Sequence, residues 1–456
     1  VRELTAVFPT LTIFVQDAPS FPAKLPNVQD DTELAESYRR EIEIVPTLIR
    51  LDDGGVENGR LQGWNKQQWR AFTQQPALGE QLPDHRPGCG SKSLEPGIAE
   101  KLAVKFGGAK TTARQIELGT LEDEIEACYA RGWSDGLPVV PPTPERVIRM
   151  LGGTQRNPQE VIGLVPPNRA ECTVEKIAIN AVLAGCLPDY LPVVIAAVEA
   201  ALMDEFCMHG LLATTYFSGP MVVVNGPIAQ RIGMNSGGNA LGQGNRANAT
   251  IGRALQLVIR NVGGGRPGGV DRAALGNPGK YTFCFAEAEA DSPWQSLAVE
   301  RGFTPEQSTV TLFAGDGVQG MFDQQSRTPE SLAKSFATCL QSVALPIIGM
   351  AADAFLIVSP EHARIFAEAS WSKARLKEEL NQLSLRPGSE MVRGAGGIAE
   401  GIPLQFESAT AVPKFRPGGL NIVHAGGKAG MFSAIVGGWV ASGERGSVPV
   451  TAVVKQ

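Results

Sequence analysis

The amino-terminal part of the chain alternates short apolar runs with amphipathic stretches. Runs with the length and β-branched content of strands lie at 11–17 (LTIFVQD), 42–51 (IEIVPTLIRL) and 56–62. Patterns typical of helices lie at 1–8, 33–40 and 65–73. The sequence DDGG at 52–55 predicts a hairpin turn. This order of helices and strands predicts an α/β sandwich with a mixed sheet.

Longer periodic segments follow residue 120. Helices are predicted at 121–131, 173–184, 190–203, 246–261, 331–345, 360–369 and 431–439, and strands at 221–225, 281–286, 309–313, 354–358 and 420–424. No internal repeat is visible in the sequence. Proline and glycine are dense at 76–120, where periodicity is lost, which predicts a linker. The chain therefore divides into a first domain at 1–75, a linker at 76–120, and a larger glycine-rich α/β domain of one or two lobes at 121–456.

The composition is typical of a folded globular protein. Of 456 residues, 43% are hydrophobic and 19% are charged, and the formal net charge is −6. This acidic balance gives no electrostatic reason to bind nucleic acid, and no apolar run is long enough to span a membrane. The seven cysteines are scattered, without the spacing of a zinc or redox motif, which favours a reducing compartment. We expect a cytoplasmic protein that binds neither nucleic acid nor membranes, and we expect it to form a homo-oligomer.

A proline motif lies in the second predicted strand. The sequence VPT at 45–47 stands before an aliphatic run, and GW at 63–64 opens the helix after the hairpin. Residues 1–75 thereby resemble the carboxyl-terminal part of the thioredoxin fold. The resemblance implies a cis bond before Pro46, and it implies that Pro46 faces a reactive Cys-x-x-Cys placed immediately before Val1. It therefore implies a thioredoxin-like sandwich without its first strand and dithiol, and we expect the gene to encode that dithiol upstream of Val1.

Cys89 has surroundings that suit a reactive thiol. It lies between glycines in GCGSK at 88–92, near Arg86 and Lys92. Exposure and neighbouring positive charge favour the thiolate that thiol chemistry requires. The alternative is an incidental loop cysteine. If the protein is a redox enzyme, Cys89 should lie close to Pro46 or to a pocket of the large domain.

The large domain contains several long phrases shared with a group of bacterial proteins. They are SDGLPVVPPT, TVEKIAINAVLAGC, VVVNGPI, GNRANATIGRA, GKYTFCFAE and SPEHARIFAEASWSKARL. Through these phrases the domain resembles bacterial proteins associated with the UGSC-like (seleno)protein family. The cysteine motif for which that family is named is absent here, and the resemblance implies no particular reaction.

Two glycine-rich segments are candidate ligand loops. The first, 233–253 (GMNSGGNALGQGNRANATIGR), leads into a helix, and its amides suit a carboxylate or phosphate, although it is neither a P-loop nor a dinucleotide fingerprint. Its candidate substrate-binding residues are Asn235, Ser236, Asn239, Asn245, Arg246 and Asn248, with Arg246 supplying the charge. The alternative is an irregular loop held by asparagine-capped turns. The second segment, 424–430, contributes Gly426 and Gly427 between a predicted strand and a predicted helix.

Acid–base candidates are few, since the chain has four histidines. His209, in a polar segment before a strand, is the first choice for a general acid or base, and His424, at a strand end, is the second. Glu287 ends a predicted strand, where glutamate is unfavourable, and is the carboxylate partner. We predict that His209, Glu287 and the 233–253 loop converge in one active site. No ligand spacing supports a metal, and the cofactor is left open.

Three functions are compatible with these features. The first is a thiol-linked redox enzyme that acts on a small anionic substrate, with Cys89 and a thiol redox partner. The second is a non-redox lyase or hydrolase with His209 and Glu287 as its acid–base pair. The third is a binding or assembly protein without catalysis. The fusion of a thioredoxin-like part to the large domain favours the oxidoreductase.

Overall fold

The computed structural model describes residues 1–17, 24–107, 111–439 and 446–455. The chain divides into two compact units, Val1–Thr111 with Thr143–Arg149, and Thr112–Pro142 with Met150–Gln456. The first unit is thus longer than the predicted 1–75, and much of the predicted linker at 76–120 belongs to it. The segment contains the helix Ile98–Phe106, with Gly97 before it and Gly107 after it. These glycines mark the two ends of a short helix, which a composition rich in proline and glycine conceals.

Short elements make up the first unit. Its helices are α1 (Arg2–Val7), α2 (Ala35–Arg39), α3 (Lys66–Thr73) and α4 (Ile98–Phe106). Its strands are β1 (Ile13–Val15), β2 (Val28–Asp30), β3 (Ile44–Val45), β4 (Thr47–Leu51), β5 (Glu57–Gln62), β6 (Trp64–Asn65), β7 (His85–Arg86) and β8 (Cys89–Gly90). They pair two by two, as β1–β2, β3–β8, β4–β5 and β6–β7. The described residues do not form the single mixed sheet that was predicted, because apart from β4 and β5 the strands have only two or three residues and are too short to extend one.

The β4–β5 hairpin has the turn that its sequence predicts. The Gly55 amide donates to the Asp52 carbonyl oxygen at 2.9 Å. The Asp52 carboxylate accepts from the amides of Gly54 and Val56, both at 2.9 Å. Aspartate at the first position of a turn forms these bonds to the amides that follow it. The small core of this unit includes Leu4, Trp69 and Leu78.

The second unit has longer elements. Its helices are α5 (Glu124–Ala130), α6 (Pro144–Leu151, divided between the units), α7 (Val174–Ala184), α8 (Leu191–Ala201), α9 (Met208–Ala213), α10 (Pro227–Arg231), α11 (Arg246–Asn261), α12 (Leu297–Glu300), α13 (Pro329–Leu340), α14 (Pro360–Glu368) and α15 (Lys373–Leu383). Its strands are β9 (Val161–Val165), β10 (Ala170–Thr173), β11 (Gly219–Asn225), β12 (Cys284–Ala286), β13 (Thr309–Gly315), β14 (Gln319–Phe322), β15 (Ala352–Val358), β16 (Phe415–His424), β17 (Phe432–Gly437) and β18 (Val450–Val453). Strands β9 and β10 pair with each other, and the rest form two four-stranded sheets, ordered β12-β11-β13-β18 and β16-β15-β17-β14.

The two sheets have the same topology. In each, the first strand runs parallel to the second, after a connection that contains helices, and antiparallel to the third. The fourth strand crosses over: β14 follows β13 in the chain but pairs with β17, and β18 follows β17 but pairs with β13. We name residues 219–322 the first half and residues 352–453 the second half. The second unit thus repeats one topology and exchanges the fourth strands between its halves.

A faint sequence repeat accompanies this topology, although none was predicted. Pro227 starts α10 and Pro360 starts α14, each two residues after its strand, and Arg-Ile follows at 231–232 and at 364–365. The predicted helix at 431–439 is wrong, because Phe432–Gly437 is a strand. A short run that is apolar at nearly every position has no periodicity to separate a buried strand from a buried helix.

Apolar side chains between the two sheets form a shared core. Phe313 and Phe355, from opposite sheets, have ring centroids 4.7 Å apart. Helices α13, α14 and α15 cover the outer face of the second sheet, and α8 and α11 pack on the first. The Ala288 amide donates to the His424 carbonyl oxygen at 2.8 Å. The carboxyl ends of β12 and β16, one from each half, therefore meet.

Candidate active site

Glu287 directly follows β12 and is buried, with 3% of its surface exposed. Its Oε2 accepts hydrogen bonds from Asn225 Nδ2 and from the Leu297 amide, both at 2.7 Å. Its Oε1 lies 3.8 Å from Lys373 Nζ. Burial raises the pKa of Glu287 despite the opposing effects of Lys373 and the hydrogen bonds. The protein thus shifts this carboxyl group toward its neutral form.

His424 ends β16 and is fully buried. Its Nδ1 lies 3.1 Å from the Ala288 carbonyl oxygen, and because a carbonyl only accepts, Nδ1 carries the proton of the neutral ring. Nε2 then has the free lone pair, and no atom in the described ranges makes a hydrogen bond to it. Burial lowers the pKa of His424, and the charges of Lys373 and Lys428 act in the same direction. His424 is therefore a neutral base with an unused acceptor.

The charge of Lys373 lowers the pKa values of both Glu287 and His424. It is the first residue of α15, where Ser372 caps the helix, and its side chain is 5% exposed. Its Nζ lies 3.2 Å from Glu300 Oε2 and 3.8 Å from Glu287 Oε1. One buried ammonium thus faces two carboxylates, which compensates their charge. Across the described residues, no group of three or more side chains could hold a metal ion.

The two predicted glycine loops touch each other close to His424 in the chain. The Gly426 amide donates to the Ser236 carbonyl oxygen at 2.9 Å. A Cβ atom at Gly427 would lie 3.3 Å from the Gly238 Cα, closer than ordinary contact, so glycine suits this approach. The first loop borders an open cavity of about 390 Å³, lined by Met234, Asn235, Gly238, Asn239, Gln243, Gly244 and Asn245. Both predicted loops therefore contribute to one region at the strand ends.

Polar side chains of the first loop bond within the loop. Asn235 Oδ1 accepts from the amide two residues later at 2.9 Å, and Asn239 Nδ2 donates to a carbonyl four residues later at 2.6 Å. Asn245 caps α11 by accepting from the Asn248 amide at 3.0 Å. Arg246 is exposed, and its Nε donates at 2.9 Å to the carbonyl oxygen just past the end of α7. These contacts agree with asparagine-capped turns, and they leave the loop backbone as the surface that a ligand in the cavity would meet.

The structure does not bring His209 to this region. His209 is exposed on α9, which precedes the amino end of β11. A Cβ at the adjacent Gly210 would lie 3.0 Å from the Trp439 ring, and Trp439 bonds through its amide to Ala314, beside the start of β11. Glu287 lies at the carboxyl end of β11, about 20 Å away along a strand of seven residues. The predicted convergence of His209 with Glu287 is wrong, because proximity to a strand in sequence does not say which end of the sheet a residue reaches.

Cys89 belongs to the first unit and lies in β8, directly opposite Val45 of β3. It is exposed and is a free thiol. The Val45–Pro46 bond is cis, as predicted. Cys89 therefore lies within one residue of Pro46 along the paired strands, which is the placement that the redox hypothesis requires.

Sequence reasoning missed Asn225 and Lys373. Asn225 ends the apolar run MVVVN, and a polar residue at the end of a buried strand is the signal that singled out Glu287. No local signal predicts that Lys373 is buried, because lysine is usually exposed and its surroundings have the pattern of an ordinary helix start.

Within the described ranges, no helix combines the length and apolar character needed to cross a bilayer. Comparisons with models of protein families, with curated proteins and with solved structures find no match. What the chain does must therefore be inferred from the chemistry of these side chains.

Proposed function

We propose that the second unit is an enzyme that transfers a proton on a small anionic substrate, with His424 as the general base. The observation that carries the proposal is the buried Nε2 of His424, which is unprotonated and has no partner in the described residues. Buried polar atoms are nearly always hydrogen-bonded, so an exception points to a missing ligand or water. The proposal follows the second function considered from the sequence, a non-redox lyase or hydrolase, with His424 in place of His209 as the base.

Each residue of the cluster has a role in this proposal. Nε2 takes a proton from a C–H or O–H group of the substrate, while the bond from Nδ1 to the Ala288 carbonyl fixes the ring. Burial lowers the pKa of His424, to which the charge of Lys373 adds, and this favours the unprotonated ring before the reaction. Glu287 accepts from the His424 amide at 3.5 Å and so positions the base, and His424 itself returns the proton. The backbone amides of the two glycine loops bind the carboxylate or phosphate of the substrate.

In this proposal the substrate reaches His424 where the two glycine loops meet, since Gly426 follows His424 by two residues. They meet through the bond between Gly426 and Ser236 and through a glycine-to-glycine contact. A contact of this kind buries little apolar surface, so opening it costs little free energy. Binding of the anion to the loop amides would then close the region around His424.

Proton exchange tests this role without knowledge of the complete reaction. The full chain is incubated in D₂O with a panel of small carboxylic acids and phosphate esters, and the loss of carbon-bound proton signals is followed by ¹H NMR. We expect exchange in one class of compound, slowed about 100-fold or more in His424→Asn, since general bases contribute effects of this size. His209→Asn is the matched control and should exchange at the wild-type rate.

Three results would contradict the proposal. One is equal exchange in His424→Asn and wild type, and another is loss of exchange in His209→Asn. The third is the absence of exchange with every compound of the panel.

A thiol-linked redox function is the second candidate, and the placement of Cys89 beside Pro46 favours it. The thiolate of Cys89 would attack a disulfide of a redox partner, forming a mixed disulfide and releasing the other partner sulfur as a thiolate. Alkylation by iodoacetamide at a series of pH values, with each cysteine followed by mass spectrometry, measures the pKa of this thiol. A pKa well below 8.5 supports the function, and an ordinary pKa rejects it.

A further inference from the structure

Three polar residues occupy the half-exposed face of α11. They are Arg253, Gln256 and Arg260, and their neighbours on the helix are buried. Arg253 is held by a carboxylate: its Nε and Nη2 each lie 2.8 Å from an oxygen of Asp135, and Nη2 also donates to two backbone carbonyls. A bidentate carboxylate is the usual partner of a half-buried arginine. Arg253 therefore shows, on the same helix, the hydrogen bonds that an arginine makes when a carboxylate lies next to it.

Arg260 lies two helical turns after Arg253 and lacks such a partner. Its Nε is buried and has no hydrogen-bond acceptor in the described residues, which also place no carboxylate within ion-pair distance of it. Gln256, one turn before Arg260 and next to it on the helix surface, has a buried Nε2 that likewise lacks an acceptor. Two neighbouring donors are thus desolvated without a bond, which is rare in folded proteins.

A second guanidinium lies beside them. The Gly264 amide donates to the Arg260 carbonyl oxygen at 3.1 Å, so the chain turns back over the end of α11 and places Arg266 near Arg260. Arg266 is exposed, with its guanidinium 3.3 Å from the position of a Cβ at Gly132. Burial lowers the pKa of Arg260 and the charge of Arg266 adds to this, while Asp135 opposes it. Asp135 is already bound by Arg253, so within the described residues Arg260 and Arg266 have no carboxylate as an ion-pair partner.

We propose that Gln256, Arg260 and Arg266 form a binding site for an oxyanion, a carboxylate or phosphate group of a small molecule. An oxyanion offers several acceptors to the unpaired donors and separates two like charges that otherwise repel. The site does not depend on the acid–base proposal.

Calorimetric titration with inorganic phosphate and with succinate tests the site on the full chain at constant ionic strength. We expect wild type to bind one of them saturably, and Arg260→Met and Arg266→Met each to weaken binding about tenfold or more, the effect of a lost charged hydrogen bond. The comparison of the two probes identifies the class of oxyanion. Arg393→Met removes the same charge from an exposed arginine between β15 and β16, and it should bind like wild type.

Thermal unfolding without added anion supplies an independent check. Arg260→Met removes a repelled charge and an unpaired donor, so we expect its Tm to equal or exceed that of wild type. The site is overturned if wild type binds neither probe, if the Arg260→Met and Arg393→Met variants bind alike, or if Arg260→Met lowers the Tm in the absence of anion.

Discussion

Glu287 and His424 occupy the same position in the two halves of the second unit. Val224 pairs with Ala286 in the first half, and Ile357 pairs with Val423 in the second. Val224 and Ile357 each lie three residues before the proline that starts the next helix. The residue that follows on the second strand is Glu287 in one half and His424 in the other. Burial shifts both toward the neutral form, by raising the pKa of the glutamate and lowering that of the histidine.

The neighbouring strands explain why the two positions differ in their bonding. Asn225 ends the first strand of the first half and donates to Glu287 at 2.7 Å. The equivalent residue of the second half is Val358, which has no polar group to offer. His424 therefore keeps an unpartnered Nε2, while Glu287 is held on both oxygens. One topology thus supports a carboxyl group held by several donors in one half and an available base in the other.

Among the variants considered, Glu287→Ala should cause the largest loss in the free energy of unfolding. It leaves the Leu297 amide without its acceptor and Asn225 Nδ2 with Glu289 alone, and it leaves Lys373 with Glu300 alone. Removal of one partner from a buried ion pair destabilises by about 3–5 kcal/mol. His424→Ala loses one hydrogen bond and should cost about 1–3 kcal/mol. Urea unfolding followed by circular dichroism ranks the two, and a greater loss for His424→Ala would contradict the assignment of Glu287 as the more strongly held residue.

Elements with strong periodicity could be predicted from the sequence. Helix α11 has the predicted bounds, Arg246–Asn261, because its apolar positions recur on one face over four turns. The strand β15 was predicted at 354–358 and extends over Ala352–Val358. The exchange of β14 and β18 between the sheets could not be predicted, because pairing over such sequence distances depends on tertiary packing that no local pattern records.

The candidate site was predictable in part for a similar reason. Glu287 and His424 stand out locally, since each is an ionisable residue at the end of an apolar run. Lys373 does not, because its burial arises from the packing of α15 near β12 and β16. His209 is also an ionisable residue shortly before a strand, but its position before β11 places it at the other end of that strand. Local chemistry therefore indicates which residues are unusual, and topology decides which of them meet.

The pH dependence of stability should differ in sign between the two positions. The pKa of Glu287 is raised above 4.5, so the folded state holds its proton more tightly, and this residue makes stability fall as pH rises from about 4.5 to the folded pKa. The pKa of His424 is lowered below 6.5, so this residue contributes stability that is present above 6.5 and is lost as pH falls through the folded pKa. A tenfold difference in proton affinity between the folded and unfolded states corresponds to about 1.4 kcal/mol of stability.

Two single variants separate these contributions. Relative to wild type, Glu287→Gln should make stability rise more steeply with pH just above 4.5, and His424→Asn should make it rise less steeply just below 6.5. The measurement is the free energy of unfolding in urea at intervals between pH 4 and pH 8. Slopes that change in the same direction in both variants would show that the two positions do not differ in the way their burial implies.

The smallest change in the free energy of unfolding is expected from substitution of Arg364, the arginine of the repeated Arg-Ile pair in the second half. Arg364 is 69% exposed and lies 3.8 Å from Glu368, which is 73% exposed, and exposed pairs of this kind contribute about 0–1 kcal/mol. Alanine also favours the helix, so Arg364→Ala should change the free energy of unfolding by less than about 0.5 kcal/mol. The adjacent Ile365 is 8% exposed in the core of the second half, and Ile365→Ala should cost about 2–5 kcal/mol. Urea unfolding of the two variants therefore tells whether the repeated Arg-Ile pair is retained for packing through its isoleucine. A large loss in Arg364→Ala would instead require a bond from this arginine that stabilises the repeat.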